Sequence, residues 1–101
     1  MSLKKQYLKS KPVCKVTFKL TAKEAQGAQK INLVGDFNDW DQQATQMKRL
    51  KDNSFKVVVD LPTDSEYQYK YLLDGKRWEN DWKAEKYTSS PYGEDNSVVV
   101  V

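Results

Sequence analysis

Three tryptophans lie among polar residues, where an aromatic ring usually serves a purpose other than filling a core. Trp40 follows an Asn-Asp pair, Trp78 follows an Asp-Gly turn, and Trp82 lies between an aspartate and a lysine. A flat aromatic face beside amide and charged side chains suits a sugar, because pyranose C–H groups lie on the ring while hydroxyls reach the polar neighbours. The alternative is that these rings cap one end of the core, an interpretation that fits Trp82 best.

Lys70 lies in the middle of a segment, 66–74, in which residues alternate between two faces. Tyr67, Tyr69 and Tyr71 share one face with the period of a half-buried strand, so we expect them in the core. Lys70 takes the opposite face. There it either extends over an exposed sheet surface with its amine in water or donates hydrogen bonds to a ligand, and periodicity alone favours the first.

The residue types that most catalytic chemistry needs are missing. The chain has no histidine and one cysteine, Cys14, which excludes Ser-His-Asp and Cys-His nucleophiles, an internal disulfide and Cys-rich metal clusters. Its fourteen acidic residues make some carboxylate pair inevitable, so their number does not indicate a glycosidase. Asp36, Asp39 and Asp41 are interpreted as turn caps. We therefore expect a non-enzymatic protein with no cofactor and no metal, in which Cys14 is a small core residue.

Length and charge describe one small domain of 101 residues, 39% of them apolar and 31% charged, with a formal charge of +3. Seven lysines precede the first acidic residue, Glu24, and form either a basic arm for phosphate groups or the solvent-facing coat of an edge strand. This segment lacks arginine, so we expect no nucleic-acid partner. No apolar run reaches the roughly 20 residues of a membrane span. A free thiol without a visible leader favours the cytoplasm.

Short β-branched and aromatic runs between turn residues predict an all-β sandwich. The predicted strands are 13–20, 31–34, 55–61, 66–74, 76–79 and 98–101, with a polar loop over 36–54 and irregular chain over 80–96. Residues 1–12 are interpreted as a basic N-terminal arm, in which Leu3, Tyr7 and Leu8 form a stripe that suggests a short helix. Residues 13–101 then form a single β-sandwich domain.

Five motifs follow one another along the chain: Gly35–Trp40 (GDFNDW), Val59–Pro62 (VDLP), Tyr69–Gly75 (YKYLLDG), Trp78, and Asn96–Val99 (NSVV). From about Val13 to Val101 this order resembles the family 48 carbohydrate-binding modules. These include the early-set domains that precede isoamylase-type and branching-enzyme barrels and the glycogen-binding domain of the AMP-activated protein kinase β subunit. The resemblance implies an immunoglobulin-like (early-set) β-sandwich that binds α-1,4-glucans such as glycogen, starch and maltooligosaccharides.

The resemblance also assigns roles to individual residues. Trp40 and Trp78 match the tryptophans that stack on glucose rings in the family. Lys70 and Asn96 match side chains that hydrogen-bond sugar hydroxyls, so the resemblance favours the ligand-binding interpretation of Lys70. Tyr92 matches a bulky loop residue that flanks the curved glucan.

Two departures from the family pattern bear on the site. The family commonly has one residue between Gly75 and the following tryptophan; here Lys76-Arg77 makes two, which could rotate Trp78 relative to Trp40. Trp82 replaces a common proline and could either extend the aromatic platform or cover the fold. The leading hypothesis is a non-catalytic α-glucan-binding module. The alternative is a protein-interaction module that docks a separate glycan-active enzyme or kinase, with sugar binding weak or lost.

Overall fold

The computed structural model describes residues 2–89 and 95–101. Within them, the chain forms strands β1 Ser2–Tyr7, β2 Val13–Leu20, β3 Ile31–Gly35, β4 Lys48–Arg49, β5 Phe55–Pro62, β6 Glu66–Leu73, β7 Arg77–Glu79, β8 Lys86–Ser89 and β9 Asp95–Val100. One 3₁₀ turn, Asp36–Asn38, follows β3 directly. The expected all-β sandwich is confirmed.

The strands form two antiparallel sheets. The first sheet has the order β1-β2-β5-β4, and the second has the order β3-β6-β9-β8. Strand β7 pairs with Tyr71–Leu73 of β6, on the edge that β9 occupies farther along at Glu66–Tyr69. Strand β6 is therefore the centre of the second sheet, with β3 on one edge and both β7 and β9 on the other.

The core lies between the sheets and follows the alternation in the sequence. Strand β2 contributes Cys14, Val16, Phe18 and Leu20, which are all fully buried. The rings of Phe18 and Tyr69 meet edge to face, with centroids 5.2 Å apart. Each such fully buried apolar side chain contributes roughly 1.5–3 kcal/mol. Cys14 is a buried free thiol, as expected.

Tyr67 lies at the corner where the chain passes from the first sheet to the second. Its hydroxyl donates to the Pro62 carbonyl oxygen at 2.9 Å, so the ring bridges the end of β5 and the start of β6. Such a tyrosine corner is characteristic of immunoglobulin-like sandwiches. Tyr69 and Tyr71 are fully buried as predicted, whereas Tyr67 is half-buried against the core.

The prediction of a short helix in the N-terminal arm is wrong. Residues Ser2–Tyr7 form β1, which pairs with β2 along its whole length. The Lys5 amine then reaches across to the second sheet, 2.7 Å from a Glu85 carboxylate oxygen and 2.7 Å from the Val100 carbonyl oxygen. Pairing with β2 thus overrides the local helical stripe. The irregular chain predicted over 80–96 likewise contains a strand, β8.

Candidate functional site

The outer face of the second sheet brings together most of the residues singled out in the sequence. Directly opposed residues in neighbouring antiparallel strands share a face. Lys70 is opposite Val34, and Leu72 is opposite Trp78. On β9, Val98 is opposite Gln68, which places Asn96 on the same face two residues earlier. The face that points away from the core therefore carries Gln68, Lys70, Leu72, Trp78, Asn96 and Val98.

Several residues of this outer face are shielded from solvent. Val34, Leu72 and Val98 are all buried, yet they lie outside the core cluster between the sheets. Lys70 is also buried, with only 8% of its surface exposed. The sheet surface at Lys70 is therefore not the exposed one that the periodicity-based interpretation assumes, and the hydrogen-bonding role of its amine stays a prediction.

The hairpin before Trp78 accommodates the additional residue and keeps the tryptophan on the outer face. Asp74 and Gly75 have φ angles of +53° and +68°, and Lys76 N–H donates to the Leu73 carbonyl at 3.0 Å. These are the features of a tight two-residue turn with both central residues left-handed. The strand register nevertheless resumes at Leu73 opposite Arg77 and leaves Lys76 unpaired. If Lys76 were instead paired with Leu73, Trp78 would be opposite Tyr71 and would face the core.

The turn is tied to the loop that precedes β3. Asp74 Oδ1 accepts hydrogen bonds from the backbone N–H groups of Gln29 and Lys30, both at 2.9 Å. The backbone N–H of Asp74 in turn donates to the Lys30 carbonyl at 2.7 Å. The hydrogen bonds from Lys30 and Gln29 lower the pKa of Asp74 below its ordinary value. The exposed indole of Trp78 thus stands on an anchored hairpin.

Trp40 is placed by a compact turn after β3. A Cβ atom on Gly35 would lie 2.4 Å from the Gln68 carbonyl oxygen, so only glycine allows this approach to β6. Asn38 holds the turn together: its Oδ1 accepts from Gly35 N–H at 3.0 Å and its Nδ2 donates to the Leu33 carbonyl at 2.9 Å. Asp39 and Trp40 then adopt left-handed backbone, with φ of +57° and +56°. Two consecutive non-glycine residues in this region store strain of the kind found at functional sites.

The Asp36 carboxylate connects the Trp40 ring to β6. Its Oδ1 accepts from the indole Nε1–H of Trp40 at 2.9 Å, and its Oδ2 accepts from the backbone N–H of Gln68 at 2.8 Å. The indole N–H of the half-buried Trp40 is therefore already hydrogen-bonded. Gln68 is two residues before Lys70, so the link holds the Trp40 turn beside the part of β6 that carries Lys70.

Gln68 of β6 also orients the side chain of Asn96 on β9. Its Nδ2 donates to Gln68 Oε1 at 3.0 Å, and its side chain is buried. Gln68 therefore links two parts of the site, because its backbone N–H bonds the Asp36 carboxylate and its side chain bonds Asn96.

A buried polar network fixes the chain after β7 against β9. Asn80 Oδ1 accepts from the backbone N–H and the hydroxyl of Ser97, at 3.0 and 2.9 Å. The Ser97 hydroxyl accepts from Asp81 N–H at 2.8 Å, and Asp81 Oδ2 accepts from the Tyr69 hydroxyl at 2.8 Å. Burial, with added repulsion from Asp81, raises the pKa of Tyr69, so the phenol stays a donor. Trp78 and Asn96 are thus held in fixed relation.

Of the acidic residues in the site loop that are predicted to cap turns, Asp41 does so. Asp36 binds the two donors described above, and Asp41 Oδ1 accepts from Gln43 N–H at 2.9 Å. In residues 2–89 and 95–101, no group of three or more acidic or cysteine side chains is arranged to hold a metal ion. Over the same residues, no helix has the length and apolarity needed to cross a bilayer.

Sequence comparison agrees with this arrangement. The family model for carbohydrate-binding module 48, described as the isoamylase N-terminal domain, matches residues 8–93. The chain belongs to carbohydrate-binding module family 48. The resemblance drawn from five short motifs is therefore confirmed over most of the chain.

Two curated proteins are similar to this module. The 5'-AMP-activated protein kinase subunit beta-1 of Sus scrofa is 33% identical over 75 residues, which is 74% of this chain and 57% of that protein. The 1,4-alpha-glucan branching enzyme GlgB of Lactobacillus acidophilus is 41% identical over 49 residues, 48% of this chain and 7% of the enzyme. The module thus spans just over half of the first relative and a small part of the second.

Trp82 is the other predicted site residue within the described part of the chain. Trp82 is 50% exposed, and its indole N–H donates to Glu79 Oε1 at 3.3 Å. Glu79 is opposite Tyr71 and so lies on the side of β7 away from Trp78. The structure therefore does not bring Trp82 into the platform. Tyr92 lies outside the described residues.

Two residues of the site were missed in the sequence. Asp36 was interpreted only as a turn cap, although it also orients Trp40. Gln68 has no role in the sequence-based prediction, although it bonds both Asp36 and Asn96. The signal for Gln68 was its spacing of two residues from Lys70, which puts both side chains on one face of β6.

Proposed function

We propose that this module binds α-1,4-glucans without cleaving them, and that Trp40 and Trp78 each stack on a glucose ring. The observation that carries the proposal is the shared outer face of the second sheet. Trp78 lies opposite Leu72 at one end, and the Asp36 carboxylate holds Trp40 beside Gln68 at the other. Four residues of strand separate Gln68 from Leu72, or about 13 Å. That span accommodates more than one pyranose ring of a single chain.

Lys70 and Asn96 supply the polar contacts between the two rings. Lys70 lies between Gln68 and Leu72 on β6, and its amine provides hydrogen-bond donors. Asn96 is held by Gln68 and offers an amide oxygen as an acceptor. Hydroxyls of a bound glucan would then meet one donor and one acceptor in fixed positions. Stacking on the aromatic rings alone would not fix the position of the glucan along the face.

The proposed binding is shallow and therefore weak for a single short chain. Few contacts and an open face give a small free energy per site. A long glucan raises the effective concentration of neighbouring binding segments, so affinity for a polymer exceeds that for an oligosaccharide. We further propose that the module holds a polysaccharide for a separate glycan-active enzyme.

Isothermal titration with maltoheptaose and native gels containing glycogen test the proposal. We expect wild-type protein to bind the sugar and to be retarded by glycogen, and expect Trp40→Ala and Trp78→Ala to lose both responses. Tyr7→Ala is the matched control, since Tyr7 is an exposed aromatic residue, 56% accessible, on the first sheet. Wild-type binding by either tryptophan variant would overturn the stacking proposal. Reducing sugar released from maltooligosaccharides would overturn the non-catalytic part.

The alternative function uses the same aromatic face to dock a protein. It differs in one measurable respect, because maltoheptaose would then neither quench tryptophan fluorescence nor displace the partner. Quenching that is lost in Trp40→Ala and Trp78→Ala favours the glucan.

A further inference from the structure

The outer face of the first sheet, on the opposite side of the sandwich, is strongly basic. We define the lysine face as the outward-pointing residues of β1, β2, β4 and β5, among which are Lys4, Lys15, Lys19, Lys48 and Lys56. Lys48 is directly opposite Lys56, and Lys56 is directly opposite Lys19. Three lysines therefore stand in one row across three strands, with neighbouring Cβ atoms about 5 Å apart.

This row works against the stability of the sheet. Like charges placed directly opposite each other in a β-sheet are destabilising. The ion pairs found within the described residues are Lys5–Glu85 and Lys86–Glu66, and neither involves the row. Asp60, opposite Lys15, is the acidic residue of the face. Five lysines and one aspartate give the face a formal charge of +4, compared with +3 for the whole chain.

The charged row borders an apolar patch. Val58 lies between Lys56 and Asp60 along β5, and 47% of its surface is exposed. A shallow depression of about 330 Å³ adjoins it and is lined by Gln46, Lys48, Leu50, Lys56, Val57 and Val58. An apolar centre within a polar, solvent-accessible rim is the usual arrangement of a protein-binding surface.

We propose that the lysine face docks an acidic surface of a partner protein. Lysine charges matched by acidic partner groups would relieve the repulsion within the row. Nucleic acid is the less suitable polyanion, because the face presents neither arginine for phosphate and base edges nor an aromatic ring for stacking. The two sheets point in opposite directions, so the module can hold a glucan on one side and the partner on the other. The inference does not depend on glucan binding.

Nuclear magnetic resonance titration of ¹⁵N-labelled module with poly-L-glutamate at low salt tests the proposal. We expect the shifted amides to cluster around Lys19, Lys48, Lys56 and Val58, and the shifts to fade as salt is added. Adding maltoheptaose should move a separate set of signals, including Lys70 and Trp78, with neither ligand displacing the other.

Two triple variants of equal net charge provide the control. Lys19→Gln/Lys48→Gln/Lys56→Gln removes the row, and we expect it to weaken poly-L-glutamate binding about tenfold. Lys23→Gln/Lys30→Gln/Lys83→Gln removes three exposed lysines that lie outside the first sheet, and we expect nearly wild-type binding. The first variant should melt at the same or a higher temperature than wild type because opposed charges are gone, which separates lost docking from lost folding.

Three results would overturn the proposal. Equal weakening in both triple variants would mean that net charge alone attracts the polyanion. Tighter binding of an oligonucleotide than of poly-L-glutamate of the same charge would assign the face to nucleic acid. Sedimentation showing self-association that the row variant abolishes would identify a second copy of the chain as the occupant.

Discussion

Replacing Asp36 with Asn removes half of the connection between Trp40 and β6. The carboxylate accepts from two donors, the Trp40 indole N–H at 2.9 Å and the Gln68 backbone N–H at 2.8 Å. An amide of the same shape has a single acceptor oxygen, so it can satisfy only one of them. The Gln68 donor belongs to a strand and cannot move away. We therefore expect Asp36→Asn to keep that bond and to release the indole.

The size of the effect follows from the lost hydrogen bond. A bond to a charged group is worth about 1.5–3 kcal/mol, and the exposure of Asp36 reduces this to about 1 kcal/mol here. Because a released Trp40 must be ordered again when sugar binds, this loss corresponds to about fivefold weaker affinity for maltoheptaose. Isothermal titration measures the affinity, and a red-shifted tryptophan emission measures the release of the ring.

Asp41→Asn is the matched control for this change. Asp41 is an exposed acid of the same loop, and its Oδ1 accepts from Gln43 N–H rather than from a site residue. We expect its affinity and emission to match wild type. If Asp36→Asn binds maltoheptaose as tightly as Asp41→Asn does, the carboxylate does not position Trp40 and the reasoning is refuted.

Three further changes test the hairpin, the turn anchor and the close approach of β3. Deleting Lys76 should preserve maltoheptaose affinity, because the two-residue turn then leads directly into the pairing of Leu73 with Arg77. Deleting Lys76 and Arg77 together should abolish binding, because it turns Trp78 inward. The pKa of Asp74 is lowered from 3.8 in the folded state, so its contribution to stability is present above that pH and is lost as the pH falls through the folded value. Urea unfolding should therefore show that the free energy of unfolding falls more steeply from pH 6 to pH 2 for wild type than for Asp74→Asn. Parallel curves would contradict this. Gly35→Ala should lower the free energy of unfolding by about 1–3 kcal/mol or more, since its Cβ would lie 2.4 Å from a backbone oxygen of β6; an unchanged urea midpoint would show that β3 can move away.

Strand β6 illustrates how much of the site could be predicted from local sequence. Its alternation placed Tyr69 and Tyr71 in the core and Lys70 on the opposite face, and both placements are confirmed. Alternation could not give the burial of Lys70, which depends on residues from other strands. The ligand-binding role that the family resemblance implies for Lys70 stays a prediction.

The errors occur where pairing between distant segments decides the outcome. The stripe of Leu3, Tyr7 and Leu8 has helical spacing, but hydrogen bonding to β2 makes Ser2–Tyr7 a strand. The effect of the additional residue before Trp78 likewise depends on pairing, because the hairpin leaves Lys76 unpaired and so keeps Trp78 on the outer face; the rotation of its ring relative to Trp40 stays a prediction. Both outcomes depend on strand register, which the residues of one segment do not specify alone. The cytoplasmic setting and the role of Tyr92 stay predictions.

A crystal structure of the module with maltoheptaose tests most directly whether one glucan chain lies across the outer face of the second sheet. We expect consecutive glucose rings stacked on Trp40 and Trp78, with hydroxyls hydrogen-bonded to Lys70 and Asn96. Sugar bound at Trp82 or on the first sheet, with Trp40 and Trp78 both uncovered, would contradict this.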